Sequence, residues 1–144
     1  MKTPEKSAYL KGNMFILFID TSSALTRVSL YDEKFSLKAN DEWESSFNQS
    51  EELLTHIDQL LLGIGAKKDQ LRQINVIIGP GSYTGVRVGV TTANFLAFSL
   101  NLPVCGIKKG EPFLIKSEAD YFQNPVMPYY EREPFITKPK ARLG

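Results

Sequence analysis

Two kinds of apolar pattern run along the chain. Met14 to Asp20 (MFILFID) is a continuous apolar run closed by a carboxylate, the pattern of a central strand covered on both faces. Leu25 to Tyr31 (LTRVSLY) alternates in part and predicts a second strand. Asp32, Glu33 and Lys34 make a short hairpin connection, and Phe35 to Ala39 is the third strand, so the opening reads as an antiparallel meander. The period then changes. Leu53, Leu54, Ile57, Leu60, Leu61 and Ile64 recur at three- and four-residue spacing, which predicts an amphipathic helix over 46–62. Ser46 with Gln49, or Asn48 with Glu51, offers a capping box at its start, and Gly63 and Gly65 stop it. Ile74 to Ile78 (INVII) reads as a fourth strand, Gly79 to Thr84 as a glycine-rich turn and Gly85 to Leu100 as a second helix. Asn101 and Pro103 close that helix, and Pro103 to Ile107 is a short fifth strand. Glu111 to Phe122 is a candidate third helix.

The order β-β-β-α-β-α-β is that of a ribonuclease-H-like half, which also occurs in the actin-like ATPase superfamily. The expected fold class is therefore α/β, a mixed five-stranded sheet with helices packed on it. Residues 1–13 read as a polar leader, 14–122 as a single domain, and 123–144, with Pro125, Pro128, Pro134 and Pro139, as an extended tail.

Composition narrows the chemistry. The 144 residues amount to one domain. Seventeen Lys plus Arg oppose sixteen Asp plus Glu, for a net charge of +1. A protein that grips nucleic acid alone through many phosphates is usually far more basic. One cysteine, Cys105, excludes an internal disulfide and a cysteine-based zinc cluster, and one histidine, His56, excludes a site of several imidazoles. No apolar run reaches the roughly 18 residues of a membrane-spanning helix, and residues 1–13 hold no apolar signal core, so a cytoplasmic protein is expected.

The segment Gly79-Pro80-Gly81-Ser82-Tyr83-Thr84-Gly85-Val86-Arg87-Val88-Gly89 carries the most information. It follows a strand and opens a helix, the setting of a phosphate cradle. A P-loop needs Lys after its last glycine, where Val86 stands; a dinucleotide fingerprint needs a small residue at Thr84 and a carboxylate about 20 residues on, and Glu111 comes too late. The plainer reading is a tight strand-to-helix turn. Gly85, Gly89, Ala93 and Ala97 also fall four apart and form a ridge of small side chains that admits another backbone closely. Spacing alone leaves open whether that backbone is this chain's own or a partner's.

Catalytic readings are poorly served. Asp20 ends the first strand, but two-metal chemistry needs several carboxylates converging. Asp41, Glu42, Glu51, Glu52, Asp58 and Asp69 lie on loops and helix faces, and Gly79 stands where the fourth strand would supply another. His56 has the setting of a boundary residue, and Ser82 has no second histidine to act as its base. Arg87 is the one charge in an otherwise apolar helical turn, and Lys138, Lys140 and Arg142 make a small basic tail.

Four segments in order, FILFIDTS (15–22), QSEELLTHIDQLL (49–61), VIIGPGSYTGVRVG (76–89) and LPVCGI (102–107), resemble the TsaB (YeaZ) family, and PYYEREPFITKPK (128–140) resembles its C-terminal end. The resemblance implies an actin-like fold without an active site, metal or cofactor of its own. It implies a non-catalytic partner of TsaD in making N6-threonylcarbamoyladenosine in tRNA. In that family TsaD carries the metal and transfers the group, the ATPase TsaE joins the pair, and TsaC supplies threonylcarbamoyl-adenylate. The implied partners are a TsaD-like protein in a heterodimer and a TsaE-like ATPase, with tRNA reached only indirectly. Carried onto this chain, the partner surface comes from helices 50–62 and 85–100: Leu53, Leu54, Ile57, Leu61, Gly85, Arg87, Gly89, Ala93 and Ala97. Asp20, Thr21, Gly79, Gly81 and Thr84 become structural turn residues. Gln49 stands where the family usually has histidine. Only residues 108–122 separate the fifth strand from the tail, so a shortened form lacking most of the second subdomain is expected. The alternatives are a nucleotide-binding phosphotransferase fragment and a self-associating module that uses the same ridge in a homodimer.

Overall fold

The uninterrupted apolar run after Asn13 becomes the innermost strand. In the computed structural model, which describes residues 13–46, 48–112 and 125–130, β1 spans Phe15–Asp20 and its first five side chains are buried. It pairs antiparallel with β2 (Leu25–Asp32), which pairs antiparallel with β3 (Leu37–Glu44). On its other side β1 runs parallel to β4 (Leu71–Gly79), and β4 runs parallel to β5 (Val104–Lys108). The sheet order is β3-β2-β1-β4-β5, so the expected mixed five-stranded sheet is present.

Two strands differ from their expected bounds by more than one residue. β3 starts at Leu37 and runs on to Glu44. Phe35 takes a left-handed φ of 65° inside the hairpin and cannot extend the ladder. β4 starts three residues earlier than expected, through Arg72 and Gln73. Gln73 is fully buried and donates to Asn75 Oδ1 at 2.6 Å inside the sheet, while the buried Asn75 Nδ2 has no partner among the described residues.

Helix α1 (Gln49–Gly63) and helix α2 (Tyr83–Leu100) are the two crossovers. Leu53, Ile57, Leu60 and Leu61 of α1, and Val86, Val90, Ala93, Leu96 and Ala97 of α2, close over Leu17, Ile19, Val28, Leu30, Ile74 and Val76 of the sheet. Each fully buried Leu or Ile contributes about 1.5–3 kcal/mol. Neither expected capping box forms: the Asn48 side chain makes no cap bond, and the Ser46 hydroxyl donates instead to the Glu52 carboxylate. His56 lies half-buried at the helix boundary, its Nδ1 2.5 Å from Asp41 Oδ2 and its ring stacked on Trp43 at 3.6 Å, which fastens α1 to the edge strand. Asn101 ends α2 in the left-handed region, with Leu102 N–H returning to the Ala97 carbonyl. The expected helix after Glu111 lies almost wholly outside the described residues.

Candidate functional site

The glycine turn is built by close approach of two backbones. β1 ends in Asp20, and its Oδ1 accepts both the Ser22 backbone N–H at 2.9 Å and the Ser22 hydroxyl at 2.6 Å. That folds Thr21 and Ser22 back toward the start of α2. The Ser22 carbonyl accepts from Ser82 N–H at 2.8 Å. A side chain at Gly81 would strike the Ser22 backbone, and one at Gly79, whose φ is +120°, would strike the Tyr129 carbonyl. Ser82 caps α2: its Oγ accepts from Gly85 N–H at 3.0 Å. Two N–H groups that a phosphate would use, those of Ser82 and Gly85, are thus answered from within the chain, through Ser22 and Ser82.

A cavity of 640 Å³ opens beside Asp20, lined by Phe18, Ile77 and Ile107 and by the cations Arg27 and Lys109. Both cations are engaged. Arg27 Nε donates to Glu42 at 2.9 Å, and Lys109 Nζ donates to the Ser22 hydroxyl at 2.6 Å. The other candidate carboxylates are dispersed: Asp41 meets His56, Glu52 meets Ser46, and Asp58 meets Lys68. Among the described residues no group of three His, Cys, Asp or Glu side chains is placed to hold a metal ion.

The small ridge of α2 faces inward. Gly85, Gly89, Ala93 and Ala97 are all buried. Thr21, itself fully buried, fills the space above the two glycines: its hydroxyl donates to the Gly85 carbonyl at 2.5 Å, and a Cβ on Gly89 would overlap it. The backbone admitted by the ridge is therefore that of β1 and its turn. Leu53, Ile57 and Leu61 are buried likewise, at 0–3% exposure. Of the partner surface expected from the sequence, only half-buried Leu54 and exposed Arg87 are open to a second molecule. The correction has a simple cause: four-residue spacing marks a face but not which side of the helix the sheet occupies.

The opposite face of α2 is the exposed one. Tyr83, Arg87, Thr91, Phe95 and Ser99 also fall four apart, about 200° around the helix from the small ridge. Tyr83 is 52%, Phe95 57% and the adjoining Phe98 88% exposed, and Leu62 of α1 is 76% exposed. Arg87 is the sole charge in the whole helix. Its guanidinium lies 5.4 Å above the Tyr83 ring, and Tyr83 stacks on Tyr130 at 5.3 Å. The Tyr130 hydroxyl, together with Tyr83, holds the Arg87 guanidinium protonated more firmly than usual. Tyr130 belongs to a strap, residues 125–130, that neither helix periodicity nor strand alternation foretells. Asn94 grips it by accepting from Val126 N–H and donating to the Val126 carbonyl, both at 3.0 Å, and Tyr129 N–H donates to the Ile78 carbonyl at 2.7 Å.

Comparison with known proteins agrees with this architecture. The family model described as "TsaD: tRNA N6-adenosine threonylcarbamoyltransferase" matches residues 44–131, more than half of the chain. The tRNA threonylcarbamoyladenosine biosynthesis protein TsaB of Bacillus subtilis is 31% identical over 118 residues, covering 82% of this chain and 50% of that protein. The Haemophilus influenzae protein of the same name is 34% identical over 95 residues, covering 66% of this chain and 39% of that protein. YeaZ from Pseudomonas aeruginosa superposes with a TM-score of 0.60 at 27% identity, over 66% of this chain and 44% of that chain. The chain spans about half the length of the curated relatives it matches. The chain belongs to the family that the matched model describes and, within it, to the TsaB (YeaZ) proteins.

Proposed function

We propose that this chain serves the threonylcarbamoyladenosine modification of tRNA as a non-catalytic binding partner of a TsaD-like protein. The exposed row of α2 makes the contact. One observation carries the reading: an 18-residue helix presents Tyr83, Phe95 and Phe98 to solvent with a single charge among them. A surface helix without a partner normally turns charged residues outward, and contiguous exposed apolar groups mark an interaction site. Membership in the TsaB proteins supports a partner from the same pathway, because those relatives are named for threonylcarbamoyladenosine biosynthesis in tRNA. The near-neutral charge supports a role in which tRNA is reached through the partner.

The test is co-expression with the TsaD-like protein of the same organism, followed by size-exclusion chromatography. One joint peak is expected for the natural chain and two separate peaks for Phe98→Asp, which changes only an exposed side chain. Two separate peaks for the natural chain would refute the heterodimer, and a dimer-sized peak without the partner would favour self-association through the same face. Tight ATP binding with hydrolysis would instead support the phosphotransferase alternative. Contact with a TsaE-like ATPase is a further part of this proposal, and a third protein entering the joint peak would support it.

A further inference from the structure

We propose that Arg87, framed by Tyr83 and Tyr130, reads a carboxylate on the partner. This rests on the preceding reading of the α2 face and adds the chemistry of what faces it. The ion pairs among the described residues are Arg27 with Glu42, Lys38 with Asp32, His56 with Asp41, Lys68 with Asp58 and Arg72 with Glu33. Arg87 is in none of them. Its neighbours are two phenol rings, Tyr83 under the guanidinium by cation–π attraction and Tyr130 stacked on Tyr83, and no carboxylate among the described residues compensates its charge.

Position turns that into a demand on the partner. Arg87 lies in the same exposed row as Thr91 and Phe95, so a protein covering Phe95 and Phe98 also desolvates the guanidinium. A buried unpaired charge is strongly unfavourable, and an Arg fork is satisfied best by a carboxylate taken in two parallel bonds. The framing also lowers the loss of side-chain freedom on binding. The strap thereby acts on recognition: Asn94 anchors Val126, and the strap delivers Tyr130 to the ring that carries Arg87. Arg87 is a specificity residue, and Tyr130 is a positioning residue acting through it.

The experiment is titration of the full chain against the TsaD-like protein at about 50 mM and about 500 mM salt, spanning Debye lengths of roughly 14 and 4 Å. Arg87→Gln is expected to weaken binding about tenfold or more at low salt and to flatten the salt dependence, because the helix face holds no other charge. Arg87→Lys keeps the charge but loses the fork and is expected to retain the salt dependence at reduced affinity. Tyr130→Ala is expected to weaken low-salt binding severalfold while circular dichroism stays that of the natural chain. Natural-strength binding by Arg87→Gln with an unchanged salt slope would overturn this inference and leave the partner reading standing. Failure of the natural chain to bind at either salt would overturn both.

Discussion

Replacing Gly89 by alanine distinguishes a ridge packed on its own sheet from a ridge open to a partner. The new Cβ would overlap the Thr21 hydroxyl and come within 3.3 Å of Thr21 Cβ and Cγ2. Thr21 is fully buried and its short branched side chain has no room to swing away. Overpacking of this kind costs about 1–3 kcal/mol. Displacing the hydroxyl from the Gly85 carbonyl adds about 1 kcal/mol or more. Alanine returns about 1 kcal/mol through helix propensity. The net expectation is a loss of about 2 kcal/mol, read from urea unfolding followed by circular dichroism. Thr21→Ala removes the obstructing hydroxyl and Cγ2, so the double variant should be more stable than the sum of the single losses by about 1 kcal/mol or more. A stability gain of about 1 kcal/mol for Gly89→Ala, the propensity effect alone, would refute the inward ridge. Strict additivity with Thr21→Ala would do the same.

Two further outcomes concern the hairpin and the strap. Asp32 accepts Ser36 N–H at 2.9 Å and Lys34 N–H at 2.8 Å, and these bonds, Ser36 first, with Lys38 and Lys34 nearby, hold its carboxyl below the usual 3.8. A carboxyl depressed by folding stabilises the fold above its unfolded pKa of about 3.9 and loses that contribution as pH falls through its native value. Urea midpoints of the natural chain and Asp32→Asn should therefore differ at neutral pH and converge on acidification; a gap constant with pH would contradict this. Asn94→Ala should release the strap, at a loss of about 1–2 kcal/mol for two hydrogen bonds, with faster amide exchange at Val126 and Tyr129. Unchanged exchange at Val126 would show that Asn94 does not hold it.

The elements read from the chain are those whose signal is local. FILFID is apolar at every position until Asp20, and such a run has only one home, the middle of a sheet covered on both faces. The leucine stripe of α1 and the Asn101 stop of α2 were legible for the same reason. β3 was misjudged because LKANDEWE is an edge strand. Its Asn40 and Glu42 face outward and answer Ser29 and Arg27 across the ladder, while on the inward face Asp41, paired with His56, stands between Ala39 and Trp43, so the apolar alternation is broken there. The ridge was legible as a close-packing face, whereas its occupant, Thr21, lies 64 residues before Gly85. α2 is apolar on nearly every side, so periodicity gave no means of telling the buried row from the exposed one. The strap is bound mainly through its backbone, by Asn94 and the Ile78 carbonyl, and backbone recognition leaves little trace in side-chain pattern.

The central claim is that the outer row of α2 docks a TsaD-like partner. Its most direct measurement is the dissociation constant of that pair for the natural chain and for Phe98→Asp, at equal fold stability. An anchor as exposed as Phe98 carries about 2 kcal/mol or more when it becomes the middle of an interface, a factor of about 30. Micromolar or tighter binding is expected for the natural chain, and at least that factor of weakening in the variant. Equal affinities for the two chains, or no association of the natural chain at tens of micromolar, would contradict it.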